Sequence, residues 1–188
     1  MNLTEYSIKA LSTASTTSSR EDDAQHAGFG LMTETGEILD TYKRHLFYKV
    51  DLNVSNLKEE AGDVLWYLVL GYKALGREFP SSVGDIKTKL PEPLMVSRDW
   101  VLAKLSKHSA DFFNIAMSYK GSIGDNYLEY DLDRVLHFLH VFVTTQLNMT
   151  LEDVADINIE KLSKRYPGLK FSQDKALNRD TENELSHI

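Results

Sequence analysis

The chain contains no cysteine. Disulfide staples, thiolate catalysis and cysteine-ligated zinc are therefore excluded. Proline is scarce, with 4 residues in 188, so little interrupts helices. No apolar run approaches the ~18 residues that a membrane span needs. The opening MNLTEYSIKALSTAS lacks the apolar centre of a signal peptide, so the default expectation is a cytoplasmic protein. Positive charge is also in deficit: 21 Lys and Arg face 28 Asp and Glu, a formal net charge of −7. That balance argues against a nucleic-acid backbone or an anionic membrane as the main partner. A local basic pocket stays compatible with it. What is present is ordinary for a soluble globular chain, with 42% hydrophobic and 26% charged residues. The length fits one domain over residues 1–188.

Two acidic pairs organise the rest. Glu34 and Glu37 sit in GLMTETGEILD, and Glu60 and Asp63 in NLKEEAGDVLWYL. Residues three apart share nearly one face of a helix, so each pair points two carboxylates the same way. Both pairs lie in apolar sequence, where unpaired charge is costly. Two such helices packed together gather four carboxylates. A hard divalent cation, or bound protons, makes that tolerable. The residues thus suggest a magnesium site that binds a polyphosphate, with Mn2+ able to substitute.

The helical periodicity predicts an all-α bundle of about six helices around a four-helix core. A first helix covers residues 3–15, with Leu3, Tyr6, Ile8, Ala10 and Leu11 as its apolar face. A polar loop follows from Ser12, and Asp22 or Asp23 is the candidate cap of a second helix over 24–47. On that helix Leu31, Thr35, Ile38, Leu39, Tyr42 and Leu46 form one stripe, with Glu34 at its edge and Glu37 just beyond. Gly28, Gly30 and Gly36 weaken it, which close approach of a helix or ligand would explain, as would fraying. Lys43, Arg44, His45 and Lys49 bring positive charge to its end, as a solvated turn or as phosphate contacts. A third helix over 57–75, capped by Ser55 or Asn56, is apolar nearly all round and so belongs at the centre. Acids on such a helix are its least expected residues.

Pro80–Pro93 is the best linker candidate. A fourth helix covers 97–119, a turn Gly121–Asn126, and a fifth helix 128–148. Thr150-Leu-Glu-Asp153 has the capping-box pattern and opens a sixth helix, which Pro167-Gly168 stops. The tail, 168–188, is polar. Residues 24–76 and 97–148 thus form two hairpins that can be laid in register. Leu31 then matches Leu105, Glu34 matches His108, Glu37 matches Asp111, Glu60 matches Asp131 and Asp63 matches Arg134. A duplicated hairpin and a plain helical insertion both explain this. Either way the chemistry falls in the first half.

The ordered set Glu34-x-x-Glu37 and Glu60-x-x-Asp63 resembles the MazG-like all-α nucleoside triphosphate pyrophosphatases, a superfamily that includes dimeric dUTPases and dCTPases. The contexts HAGFGLMTETGEILDTYKRHLF and NLKEEAGDVLWYLVL are similar to the family's second and third helices. MNLTEY fits its first helix, and Asn158-Ile-Glu-Lys161-Leu-Ser-Lys-Arg165-Tyr-Pro fits its following one. The departure is the long stretch between residues 76 and 150, which compact members lack.

The resemblance implies Mg2+-dependent hydrolysis of a (deoxy)nucleoside triphosphate between the α and β phosphates. Glu34, Glu37, Glu60 and Asp63 would hold metal, and Glu34 or Glu37 would also serve as base. It places Lys161 and Arg165 on the triphosphate and Asn158 near sugar or phosphate, in the helix spanning 150–167. Tyr67 falls where relatives carry an aromatic near the nucleotide, with core packing as the alternative. Phe29 and Trp66 are candidates for base stacking, although core is the default for both. His26 reads as a capping or surface residue. His137 and His140 read as core histidines rather than a metal pair. The implied assembly is a homodimer or homotetramer, or a monomer in which the second hairpin replaces a partner subunit. Three rivals remain: a catalytically silent nucleotide-binding regulator on the same fold, a structural cation site, and a di-iron carboxylate bundle. The last needs Glu-x-x-His on two helices, and a single instance stands in the tail, Glu184 to His187.

Overall fold

The computed structural model describes residues 1–15, 19–86, 96–121 and 126–178. Seven α-helices carry the described chain: α1 (Leu3–Ser12), α2 (Arg20–Tyr48), α3 (Val54–Ala74), α4 (Arg98–Ala116), α5 (Asn126–Gln146), α6 (Leu151–Arg165) and α7 (Gln173–Leu177). No strand occurs among the described residues. The fold is all-α, with one short helix in the tail beyond the six expected. Parts of four expected features, 16–18 of the polar loop, 87–93 of the linker, 122–125 of the turn and 179–188 of the tail, lie outside the described residues.

Capping explains where the helices begin. Ser19, not Asp22 or Asp23, is the N-cap of α2. Its hydroxyl accepts from the Asp22 amide at 3.1 Å while Asp22 accepts from the Ser19 amide at 3.0 Å. Asp22 thus closes a capping box from the third position. Asn53 caps α3 earlier than expected, its side chain accepting from the Asn56 amide at 3.1 Å. The Thr150–Asp153 box opens α6 as its sequence indicates. Gly168, at φ 71°, takes the left-handed conformation that ends this region.

Helices α2 and α3 form one hairpin and α4 and α5 the other. The hairpins join through α2 on α4 and α3 on α5. On its other side α3 is covered by α1 and α6. This central place answers to its composition: Leu57, Ala61, Val64, Leu65, Leu68, Val69 and Leu70 are all buried. The indole of Trp66 is half-buried and donates to the Ala10 carbonyl at 3.2 Å and to Thr13 Oγ1 at 3.0 Å, tying the end of α1 to α3. Phe29, by contrast, is 55% exposed and packs edge-on against Phe113 of α4. His137 and His140 are half-buried on α5, and the His137 ring meets Phe138 edge-on.

Thr35 and Ser109, which occupy matched positions, share a hydrogen bond of 3.1 Å. Gly28 lies against Phe113, and the counterparts of those two residues, Leu102 and Leu39, line one hollow. His108, Asp111 and Asp131 also come together, offering ligand atoms within 4.8 Å of one another. His108 and Asp131 are buried and joined at 2.8 Å, with the imidazole stacked on Phe138. Asp111 pairs with Lys107.

Candidate metal centre

The α2–α3 hairpin brings Glu34, Glu37 and Glu60 together: each offers one carboxylate oxygen, all within 4.8 Å of one another. Glu60 is buried at 5% exposure, Glu34 is half-buried and Glu37 is exposed. The group is therefore open on one side and enclosed on the other. Asn56, one turn before Glu60, donates to it at 2.6 Å, and Thr33 donates to Glu34 at 3.0 Å.

Burial is the main reason that Glu60 resists ionisation. The charges of Glu37, Asp63, Glu59 and Glu34 add to it and push its pKa up to about 9. Glu34 is raised as well, first by burial and then by Asp63, while its hydrogen bonds with Thr33 and Glu60 pull the other way. A carboxyl held protonated by its neighbours has an obvious competitor for the proton, namely a cation. Three hard oxygen donors within reach of one point suit Mg2+ or Mn2+, which would keep further positions for water or phosphate.

Asp63 belongs to the same wall but has other partners. Lys161 donates to its two oxygens at 2.6 and 2.5 Å, and Asn158 donates at 3.0 Å. Asn158 in turn accepts from the Tyr6 hydroxyl at 2.9 Å. Burial, followed by the charge of Asp63, raises the Tyr6 phenol well above its ordinary value, so it remains a neutral donor. A β-carbon added at Gly62 would stand 3.0 Å from Asn158, so the glycine lets α6 approach α3 here.

The cavity beside these acids has a volume of about 420 Å³. Glu34, Glu37, Glu59, Glu60 and Asp63 line it, together with Trp66, Tyr67, Arg165 and Tyr166. Tyr67 and Trp66 meet edge-on, their ring centroids 4.9 Å apart. The exposed ring of His26 touches both from the rim. Gly30 makes room for Tyr67, because a β-carbon there would stand 2.3 Å from its ring. One of the three α2 glycines is thus required by an aromatic wall of the site. Gly36 meets nothing.

Of the residues singled out in the sequence, Glu34, Glu37, Glu60, Asp63, Tyr67 and Arg165 line this one cavity, together with the stacking candidate Trp66 and with His26. Asn158 and Lys161 stand behind it, both 1% exposed. Lys43 does not join them. It pairs with Asp40 and lines a different hollow, with Leu39, Phe47 and Leu102. Two participants are additions to the sequence reading: Glu59, which it did not single out, and Asn56, expected only as a helix cap and found donating to Glu60. The spacing of Glu59 and Asp63, four apart, was the signal for the first. Arg44 lines a second hollow of about 330 Å³ that meets the site at Glu37. No helix among the described residues is long and apolar enough to cross a membrane. Comparison of the chain with family models, with curated proteins and with solved structures finds no match.

Proposed function

We propose that this protein is a divalent-metal-dependent nucleoside triphosphate pyrophosphohydrolase of the MazG-like all-α kind. The observation that supports it best is the meeting of Glu34, Glu37 and Glu60, from two helices, beside a cavity that also holds Arg165 and two aromatic rings. Water attacks the α phosphorus, the bond to the bridging oxygen breaks, and the products are a monophosphate and pyrophosphate. Glu34, Glu37 and Glu60 would hold Mg2+, with Mn2+ as a substitute and Asp63 at the edge of the set. When bound, the cation supplies charge neutralisation for the phosphates and acidifies a coordinated water. Glu34 or Glu37 orients and deprotonates the attacking water. Arg165 meets phosphate oxygens, and Tyr67 and Trp66 offer ring faces and edges to the base.

The test is a screen of the eight common NTPs and dNTPs with Mg2+ or Mn2+. Pyrophosphate release from at least one, abolished in Glu37→Gln, is the expected result. Release from none overturns the reading.

For the assembly, we infer a monomer in which the second hairpin takes the place of a partner subunit. The Thr35–Ser109 contact between matched positions supports this, as a residue on a two-fold axis meets its own counterpart. Light scattering should give a mass near 21.4 kDa. A dimer or tetramer would contradict it.

A further inference from the structure

Lys161 is the least exposed charged side chain among the described residues, at 1%. Its ammonium group ends between two acids of α3. Asp63 accepts at 2.6 and 2.5 Å through its two oxygens, and Glu59 accepts at 3.3 Å. An ammonium has three hydrogens to give, and three carboxylate oxygens receive them. Lys161 does not line the cavity, although both of its partners do. Asn158, one turn earlier, braces Asp63 from the same helix and is itself held by Tyr6. This lysine is therefore built into the wall and presents nothing to a ligand in the cavity.

We propose that Lys161 is the site's resident counter-cation, standing where a second divalent ion would otherwise bind, and so limits the centre to one metal. The inference rests on the metal-site reading above. It departs from what the family resemblance implies in taking Lys161 off the triphosphate and making it a positioning residue. Five carboxylates face the cavity, and the structure divides them. Glu34, Glu37 and Glu60 converge on one point, and Asp63 and Glu59 converge on the lysine. Charge balance explains the division. A buried pair of acids that loses its ammonium is left uncompensated, and a hard divalent cation is the replacement that carboxylates accept most readily.

The experiment counts Mn2+ bound per chain, by calorimetry and by the loss of the free-ion EPR signal, with the metal alone. Wild type should bind one ion and Lys161→Met two. Lys161→Arg, which keeps the charge, should bind one. In Lys161→Met/Asp63→Asn the charge that recruits the second ion is gone, so the count should return to one. If Lys161→Met melts early in EDTA, Mn2+ should raise its Tm more than it raises that of wild type. A melt that Mn2+ does not restore counts against the proposal. One ion in both wild type and Lys161→Met, with KM for the nucleotide raised at least tenfold in the variant, would return Lys161 to the triphosphate. Two ions in wild type would also overturn the proposal, while sparing the metal-site reading. No ion in wild type would overturn both.

Discussion

Replacing Glu60 with glutamine separates the fold from the metal centre. Glutamine has the shape of the protonated acid and still accepts the hydrogen bond from Asn56. In the metal-free protein the Glu60 carboxyl titrates near 9, against 4.5 in an unfolded chain. Between those values the folded state holds a proton that the unfolded state has released, so raising the pH favours unfolding. Each pH unit in that window is worth up to ~1.4 kcal/mol. From pH 6 to pH 8, wild type in EDTA should therefore lose ~3 kcal/mol more stability than Glu60→Gln does. Paired urea titrations at the two pH values measure the difference. Excess Mg2+ should flatten the wild-type dependence, because the cation displaces the proton. Parallel pH dependences in EDTA for the two proteins would refute the reasoning. Activity should vanish in the variant although its fold survives, whereas a purely structural cation site would cost Glu60→Gln its thermal stability in Mg2+.

Other expectations follow from single contacts. Gly30→Ala puts a β-carbon into the Tyr67 ring, and the displacement should cost ~1–3 kcal/mol, read from a urea or thermal melt. An unchanged melt would mean that the ring yields freely. Tyr6→Phe removes the 2.9 Å bond to Asn158 and leaves a buried amide oxygen unpaired, for a loss of ~1–3 kcal/mol in the same assay. Arg165→Ala should raise KM for the nucleotide by roughly tenfold or more, the worth of a charge-assisted hydrogen bond. Metal stoichiometry in that variant should stay unchanged, since the three converging glutamates do not involve Arg165.

Much of the fold was legible because hydrophobic period and capping chemistry are local. The Thr150–Asp153 box marks the start of α6, and the near-continuous apolar run of 64–70 marks α3 as central. Helix starts slipped where two polar residues competed for one role. At α2 the acid Asp22 reads as a cap, but it serves as the third-position partner of Ser19. At α3 the cap is Asn53 rather than Ser55 or Asn56. Phe29 shows a different limit. An aromatic between two glycines reads as core, yet it lies on an outer face that only the path of α4 defines.

The candidate site was legible in its acids and less so in its cations. Spacing puts Lys161 and Arg165 on one face of α6, but it does not say how deep each lies. Depth depends on the angle at which α6 crosses α3, set in part by Gly62 and Asn158. The outcome is that Arg165 reaches the cavity and Lys161 is consumed by Asp63 and Glu59. Lys43 failed for a similar reason. Its position near the end of α2 turns it away from the glutamates, while Arg44, its neighbour, faces the hollow at Glu37.

The most direct measurement is the identity of the products. The purified protein is incubated with Mg2+ and each dNTP and NTP in water enriched in oxygen-18, and the phosphates are read by phosphorus NMR. A pyrophosphohydrolase acting at the α phosphorus yields equal monophosphate and pyrophosphate, with the heavy oxygen on the monophosphate. EDTA and Glu37→Gln should each abolish the reaction. Release of orthophosphate, heavy oxygen in the pyrophosphate, or no turnover of any nucleotide would contradict the proposed chemistry.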